Sequence, residues 1–178
     1  MEPDSVRHVF EGKLISLDVE SWGDKEREVV RHPGSCAILA SLPGDQVILV
    51  RQFREAVRRS LLEVPAGVMD EPGETAERCA LRELMEETGF HAVDVQSLGR
   101  FHASAGVTTE TFELFVGRAV HAYVPYRERN IEVVLMPFAK ALDAVRRGEI
   151  TDAKTVIALL LAKDRPGYAG SRPAAEAP

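Results

Sequence analysis

Apolar and polar positions over the first third of the chain either alternate with period two or form short unbroken apolar runs, and both patterns predict strands. VRHVF (6–10), LISLDVESW (14–22) and EREVVR (26–31) read as an antiparallel N-terminal unit, with Gly23-Asp24 supplying hairpin turn chemistry. Such a unit is marginal alone and must pack on its own domain or on a second copy. His32-Pro33-Gly34 breaks the chain before CAILASL, and Pro43-Gly44-Asp45 turns it into QVILVRQ. These two apolar runs look central to a sheet. The period then changes to 3.6. Ala76, Ala80, Leu81, Leu84 and Met85 form the apolar stripe of a helix that starts at Glu74 or Thr75 and runs to Thr88, with Gly89 as its left-handed cap. Strands return in HAVDVQSLGRF (91–101), ETFELFVGRAV (110–120) and IEVVLM (131–136), followed by two helices, FAKALDAVRRG and DAKTVIALLLAK. Between the first two of these strands, HASAGVTTE reads as a small, polar, mobile loop.

Composition narrows the class without naming it. The chain has 178 residues, 45% hydrophobic and 28% charged, enough for one well-buried unit. A formal net charge of -6 argues against a nucleic-acid duplex or an anionic membrane as partner. Cys36 and Cys79 have neither metal-ligand spacing nor a disulfide framework, so buried free thiols are expected. MEPDSVRHVF lacks the apolar core of a signal peptide, and VIALLLA is too short to span a bilayer. A cytoplasmic protein is the expectation. The tail 166–178, rich in Pro, Ala and Gly, is expected to be disordered.

One stretch carries more acid than structure requires. Glu83, Glu86 and Glu87 share an arc beside the apolar stripe of the helix. Like charges at these spacings cost roughly 0.2–0.5 kcal/mol per pair, and acids in a last turn oppose the helix dipole. A hard divalent cation offsets that cost, since Mg²⁺ takes carboxylate oxygens and bridges them to phosphates. Alone, a Glu-rich helix more often means a solvated face. Elsewhere, Arg51 and Arg54 bracket Phe53 and could clamp phosphate, although surface charge is the commoner meaning. Trp22 lies beside a turn, where packing outweighs base stacking as the default role. In LLEVPAG, Glu63 precedes Pro65, and the Ala66 carbonyl is a candidate metal ligand. Glu110 ends the polar loop, where a carboxylate could reach over a site.

Glu74, then seven residues, Arg82-Glu83-Leu84, one residue, Glu86-Glu87, one residue and Gly89-Phe90 resembles the Nudix box of Nudix hydrolases. The usual box has five residues between its leading glycine and first glutamate; Gly67 and Glu74 enclose six. HPGSCAIL, LVRQFR, LLEVPAG, SAGVTTE and GEITDAKTVIALL are similar to segments of the ADP-ribose pyrophosphatase branch. That branch usually has proline as the second residue of the SAGVTTE loop, an accompaniment of ADP-ribose selectivity, and here it is Ala105. The resemblance implies an α/β/α sandwich around a mixed sheet over 36–164, with an N-terminal β unit over 1–35 that contributes to a homodimer. It implies Mg²⁺, or Mn²⁺ or Zn²⁺ in its place, held by Glu83, Glu86, Glu87 and the Ala66 carbonyl. Arg82 would orient the helix acids, and Glu110 would orient or deprotonate water. Arg51, Arg54, Glu63 and Trp22 would bind substrate. The implied reaction splits ADP-ribose into AMP and ribose 5-phosphate. The same chemistry on GDP-mannose, ADP-glucose or a dinucleotide stays open, as does a sensor that binds ADP-ribose without cleaving it.

Overall fold

The computed structural model describes residues 1–121 and 130–165, so the expectation for the tail lies outside the described residues. The N-terminal unit is a three-stranded antiparallel sheet of β1 (Ser5–Glu11), β2 (Ser16–Trp22) and β3 (Lys25–Arg31). Gly23 takes φ 63° in the β2–β3 turn, which explains glycine there. β2 buries two carboxylates, Asp18 and Glu20, and both accept hydrogen bonds from Arg31.

The larger sheet is mixed and seven-stranded. β4 (Ser35–Leu42) lies at its centre, parallel to β9 (Thr111–His121) and antiparallel to β5 (Gln46–Arg54). β8 (Phe90–His102) and β10 (Ile131–Pro137) complete the order β10-β5-β4-β9-β8. Side chains alternate across β4, which gives the sheet two buried faces. Cys36, Ile38 and Ala40 pack with Leu84 and Ala80 of α1 (Ala76–Thr88). Ala37 and Leu39 pack with Phe138 and Ala141 of α2 (Phe138–Arg146) and Leu159 of α3 (Ala153–Ala162). The result is the expected α/β/α sandwich. Each fully buried Leu or Ile side chain in it contributes roughly 1.5–3 kcal/mol.

The centre of this sheet is split. β4 and β5 pair only at Ala40–Leu42 with Gln46–Ile48. Beyond that point β5 pairs with β6 (Arg59–Glu63), while β4 pairs with β7 (Ala66–Val68). LLEVPAG, for which the sequence predicts no strand, contributes to both of these short strands. Pro65 separates them because it has no N–H to extend a ladder. The turn at Val64-Pro65 carries the chain from the edge of β5 to the edge of β4, and a cleft opens where they diverge.

The box helix differs from its expected outline in detail. Thr75 is the N-cap, its side chain accepting from Arg78 N at 3.3 Å, and Gly89 is left-handed at φ 74°. Cys79, Thr88 and Glu87 join the buried side, whereas Leu81 and Met85 are only half-buried. The additional residue before Glu74 is absorbed in an exposed turn at 70–73, closed by Glu74 N donating to Glu71 O at 3.1 Å.

Candidate active site

β7 is where the box meets the cleft. Gly67 has so little clearance that an added Cβ would lie 2.0 Å from Glu83 Oε1, so the Glu83 carboxylate rests against the backbone of β7. The amide of Ala66 donates to Glu87 Oε2 at 3.2 Å. Residues in a ladder present N–H and C=O to the same edge. The Ala66 carbonyl therefore faces the edge where Glu87 lies, while the neighbouring Cys36–Gly67 pair faces β4. Glu87 itself is buried, at 4% exposure.

Arg82 gathers the remaining acids. It binds both oxygens of Glu74, at 3.1 and 3.0 Å, and reaches Glu83 Oε1 at 2.7 Å and Glu86 Oε2 at 3.1 Å. Its guanidinium is held more firmly protonated than usual, first by the Glu74 hydrogen bond and then by Glu83. The Glu74 carboxyl is correspondingly lowered, chiefly by that bond. Among the described residues, no three His, Cys, Asp or Glu side chains converge closely enough to enclose an ion. Arg82 instead holds Glu74, Glu83 and Glu86 around its own positive charge. The donor set still fits a hard divalent cation: Glu83 and Glu87 both touch β7, Glu86 lies one turn of helix from Arg82, and every donor is oxygen.

Alongside β7 the cleft encloses about 500 Å³ and is lined by Ser35, Arg54, Glu63, Ala66, Glu110 and Lys154, among others. Arg54 grips Glu63 with Nε at 3.1 and 3.0 Å from its two oxygens and a second nitrogen at 2.5 Å. Burial works most strongly against the Arg54 charge, but the Glu63 hydrogen bond and the charges of Glu63, Glu87 and Asp152 together outweigh it, and the guanidinium is raised. Glu63 is 2% exposed and both its oxygens are satisfied by Arg54, whose own side chain stays partly open to solvent. Glu110 accepts from Ser35 Oγ at 3.2 Å, which aims its carboxylate along the start of β4.

The loop before Glu110 is tied rather than free. Val30 of β3 donates to Val107 O at 2.9 Å and accepts from Thr109 N at 2.9 Å, and His32 N donates to Thr109 Oγ1 at 3.0 Å. Its small, polar residues suggest mobility in the sequence, but the backbone partners that hold it lie 77 or more positions earlier in the chain.

Two expected substrate residues lie apart from this cleft. Arg51 occupies the opposite face of β5 from Arg54, is half exposed and pairs with Glu132 at 3.3 Å. Trp22 lines a second cavity of about 410 Å³ with Glu20, Arg31 and Ala105–Thr109, and its indole N–H donates to Glu20 Oε2 at 2.9 Å. The cavities share the Ala105–Glu110 loop as a wall. Lys154 and Ser35 were not singled out from sequence. The available signal was D-x-x-T at the start of the last helix, an N-cap pattern that fixes which way Lys154 faces.

Residues 30–163 match the NUDIX domain, and the chain belongs to that family as a Nudix hydrolase. It is 38% identical over 160 residues to the ADP-ribose pyrophosphatase of Bacillus subtilis (strain 168), covering 85% of this chain and 86% of that one. It is 32% identical over 154 residues to the GDP-mannose pyrophosphatase of Shigella flexneri, covering 76% and 80%. The methanol dehydrogenase activator of Bacillus methanolicus is 31% identical over 160 residues, covering 85% and 86%. In three dimensions the chain superposes on an ADP compounds hydrolase with a TM-score of 0.74 at 22% identity, over 92% of this chain and 94% of that one. That likeness bears on the fold.

Proposed function

We propose that the protein hydrolyses the pyrophosphate linkage of a nucleoside diphosphate sugar, with ADP-ribose as first substrate, giving AMP and ribose 5-phosphate. The observation that carries this reading is the convergence on β7: the box carboxylates Glu83 and Glu87 rest against it, and the cleft of Arg54, Glu63, Glu110 and Lys154 is lined by the same strand. The names of the two pyrophosphatase relatives support the same class of substrate.

Glu83, Glu86, Glu87 and the Ala66 carbonyl would hold Mg²⁺, or Mn²⁺ or Zn²⁺ in its place. When bound, such ions neutralise charge on the bridging phosphates and acidify a water. The chain's own residues do the rest. Arg54 and Lys154 present cations to phosphate oxygens at the cleft wall. Glu63 is placed to accept a sugar hydroxyl. Glu110, aimed by Ser35, takes the proton of the attacking water. Arg82 keeps Glu83 and Glu86 oriented. Trp22 offers a ring for the base in the neighbouring cavity, which would join the cleft through the loop they share. Arg51 would contribute only by leaving Glu132.

Two further parts of the reading concern setting. Val6, Val9, Phe10, Leu14 and Ile15 leave the β1–β2 edge apolar and about half exposed, which supports a homodimer built through the N-terminal sheet. Among the described residues no helix is long and apolar enough to cross a membrane, and both free thiols are buried; a cytoplasmic protein accords with these.

Ala105 in the cavity wall favours a second reading in which the sugar or base differs, as in GDP-mannose. The test is kcat/KM for ADP-ribose, GDP-mannose, ADP-glucose and a dinucleotide, with Mg²⁺ and with EDTA. Metal-dependent turnover led by ADP-ribose supports the proposal. Preference for GDP-mannose moves the substrate and leaves the chemistry; bound but unchanged ligand in every case makes the protein a sensor.

A further inference from the structure

The turn between β6 and β7 is gripped from three directions. Val64 N donates to Thr155 Oγ1 of α3 at 2.8 Å, Pro65 O accepts from Ile38 N of β4 at 3.0 Å, and Ala66 N donates to Glu87 of α1 at 3.2 Å. Helices on opposite faces of the sheet thus hold the first and last of three consecutive residues in one turn. Thr155 is fully buried, as is Val64. Its hydroxyl is spent twice, accepting from Val64 N and donating to Asp152 Oδ2 at 2.7 Å, while Asp152 also accepts from Thr155 N at 2.9 Å. The Asp152 carboxylate therefore orients the hydroxyl so that its lone pair faces the turn.

This arrangement exceeds what capping α3 requires, because an N-cap needs only the bond that the Thr155 amide donates to Asp152. The hydroxyl reaches out of its helix to a residue 91 positions earlier. What it fixes is flanked by functional groups: Glu63 on one side of Val64, and Ala66 two residues beyond it. We propose that Thr155, oriented by Asp152, is a positioning residue that sets the Glu63 carboxylate and the Ala66 carbonyl against the box helix. The proposal rests on the reading of this cleft as the active site.

Thr155→Val keeps the shape and removes the hydroxyl, and Thr155→Ser keeps the hydroxyl. Asp152→Ala leaves the hydroxyl in place and frees its orientation, at a more exposed position should the valine variant not fold. Mn²⁺ binding is followed by electron paramagnetic resonance in the absence of substrate, beside thermal melting and steady-state kinetics. Outer partners of metal ligands typically affect affinity or activity by roughly 10–100-fold. The expected result is Mn²⁺ affinity about tenfold weaker in Thr155→Val, a smaller loss in Asp152→Ala, and near wild-type affinity in Thr155→Ser. In kinetics, kcat should fall more than KM rises. Folded Thr155→Val and Asp152→Ala that melt earlier but bind Mn²⁺ and turn over as wild type does would overturn the proposal alone, leaving Thr155 a structural anchor. Absence of Mn²⁺ binding by the wild-type protein would remove the metal reading and the proposal with it.

Discussion

Gly67→Ala puts one methyl group into the closest approach in the site. An ideal Cβ at Gly67 would lie 2.0 Å from Glu83 Oε1, 2.1 Å from its Cδ and 2.5 Å from its Cγ. Optimal carbon contacts begin near 3.5 Å, so the carboxylate must retreat by roughly 1 Å or more. The backbone cannot yield easily, because β7 is laddered to β4 and α1 is fixed by fully buried Leu84. Gly67 does not need a left-handed conformation, so the backbone accepts alanine and the first obstacle is the Glu83 side chain. Swinging one side chain off its preferred rotamer costs about 0.5–1.5 kcal/mol, which is the expected loss of stability. Catalysis pays more. Misplacing a catalytic group by about 1 Å costs on the order of 100-fold, equivalent to about 2.7 kcal/mol of transition-state stabilisation. Urea melts and kcat with saturating Mg²⁺ on the same preparation read the two effects separately. Adding Glu83→Gln should then cost little more than either change alone, since both remove one interaction. Unchanged kcat in Gly67→Ala, or fully additive losses in the double variant, would refute the reasoning.

The remaining predictions test other parts of the site. Glu83→Gln and Glu87→Gln should each lower kcat by two or more orders of magnitude with folding retained, as judged by circular dichroism; near-normal rates in both would remove the helix from the chemistry. Glu110→Gln should lower kcat with little change in ligand affinity measured by calorimetry, and weakened binding at unchanged kcat would make Glu110 a substrate contact. Glu74 has a lowered folded pKa because of Arg82, so its contribution to stability is complete above the ordinary glutamate value of about 4.3 and drains as pH falls through the folded value. The stability gap between wild type and Glu74→Gln should therefore hold from neutral pH down to the ordinary glutamate value, shrink between that value and the lower folded one, and be closed below both; a gap that widens in acid contradicts the assignment.

Much of this was legible in the sequence for identifiable reasons. Period and turn residues are local, so the N-terminal strands, the central runs around Ile38 and Ile48, and the capped helix ending at Gly89 emerged with the right type. Helical spacing puts the box acids on neighbouring arcs, and their pattern with Arg82 and Gly89, which resembles the Nudix box, made them candidates. What stayed hidden depends on distant partners. β6 and β7 exist because β4 and β5 diverge, which no window around LLEVPAG contains. Arg51 and Arg54 look equivalent in sequence, but they are an odd number of residues apart on one strand and face opposite sides. Lys154 and Ser35 reach the cleft only through the packing of α3 and the register of β4 with β9. The loop tied to Val30 looked mobile because its composition says nothing about a partner in another sheet.

The most direct test of the whole account is mass spectrometry of products formed from ADP-ribose and GDP-mannose in H₂¹⁸O with Mg²⁺. The account predicts a nucleoside monophosphate and a sugar phosphate, with one ¹⁸O in one of the two products and no reaction after chelation. Intact substrate recovered from folded, Mg²⁺-supplied protein, or cleavage at any bond outside the pyrophosphate linkage, would contradict it.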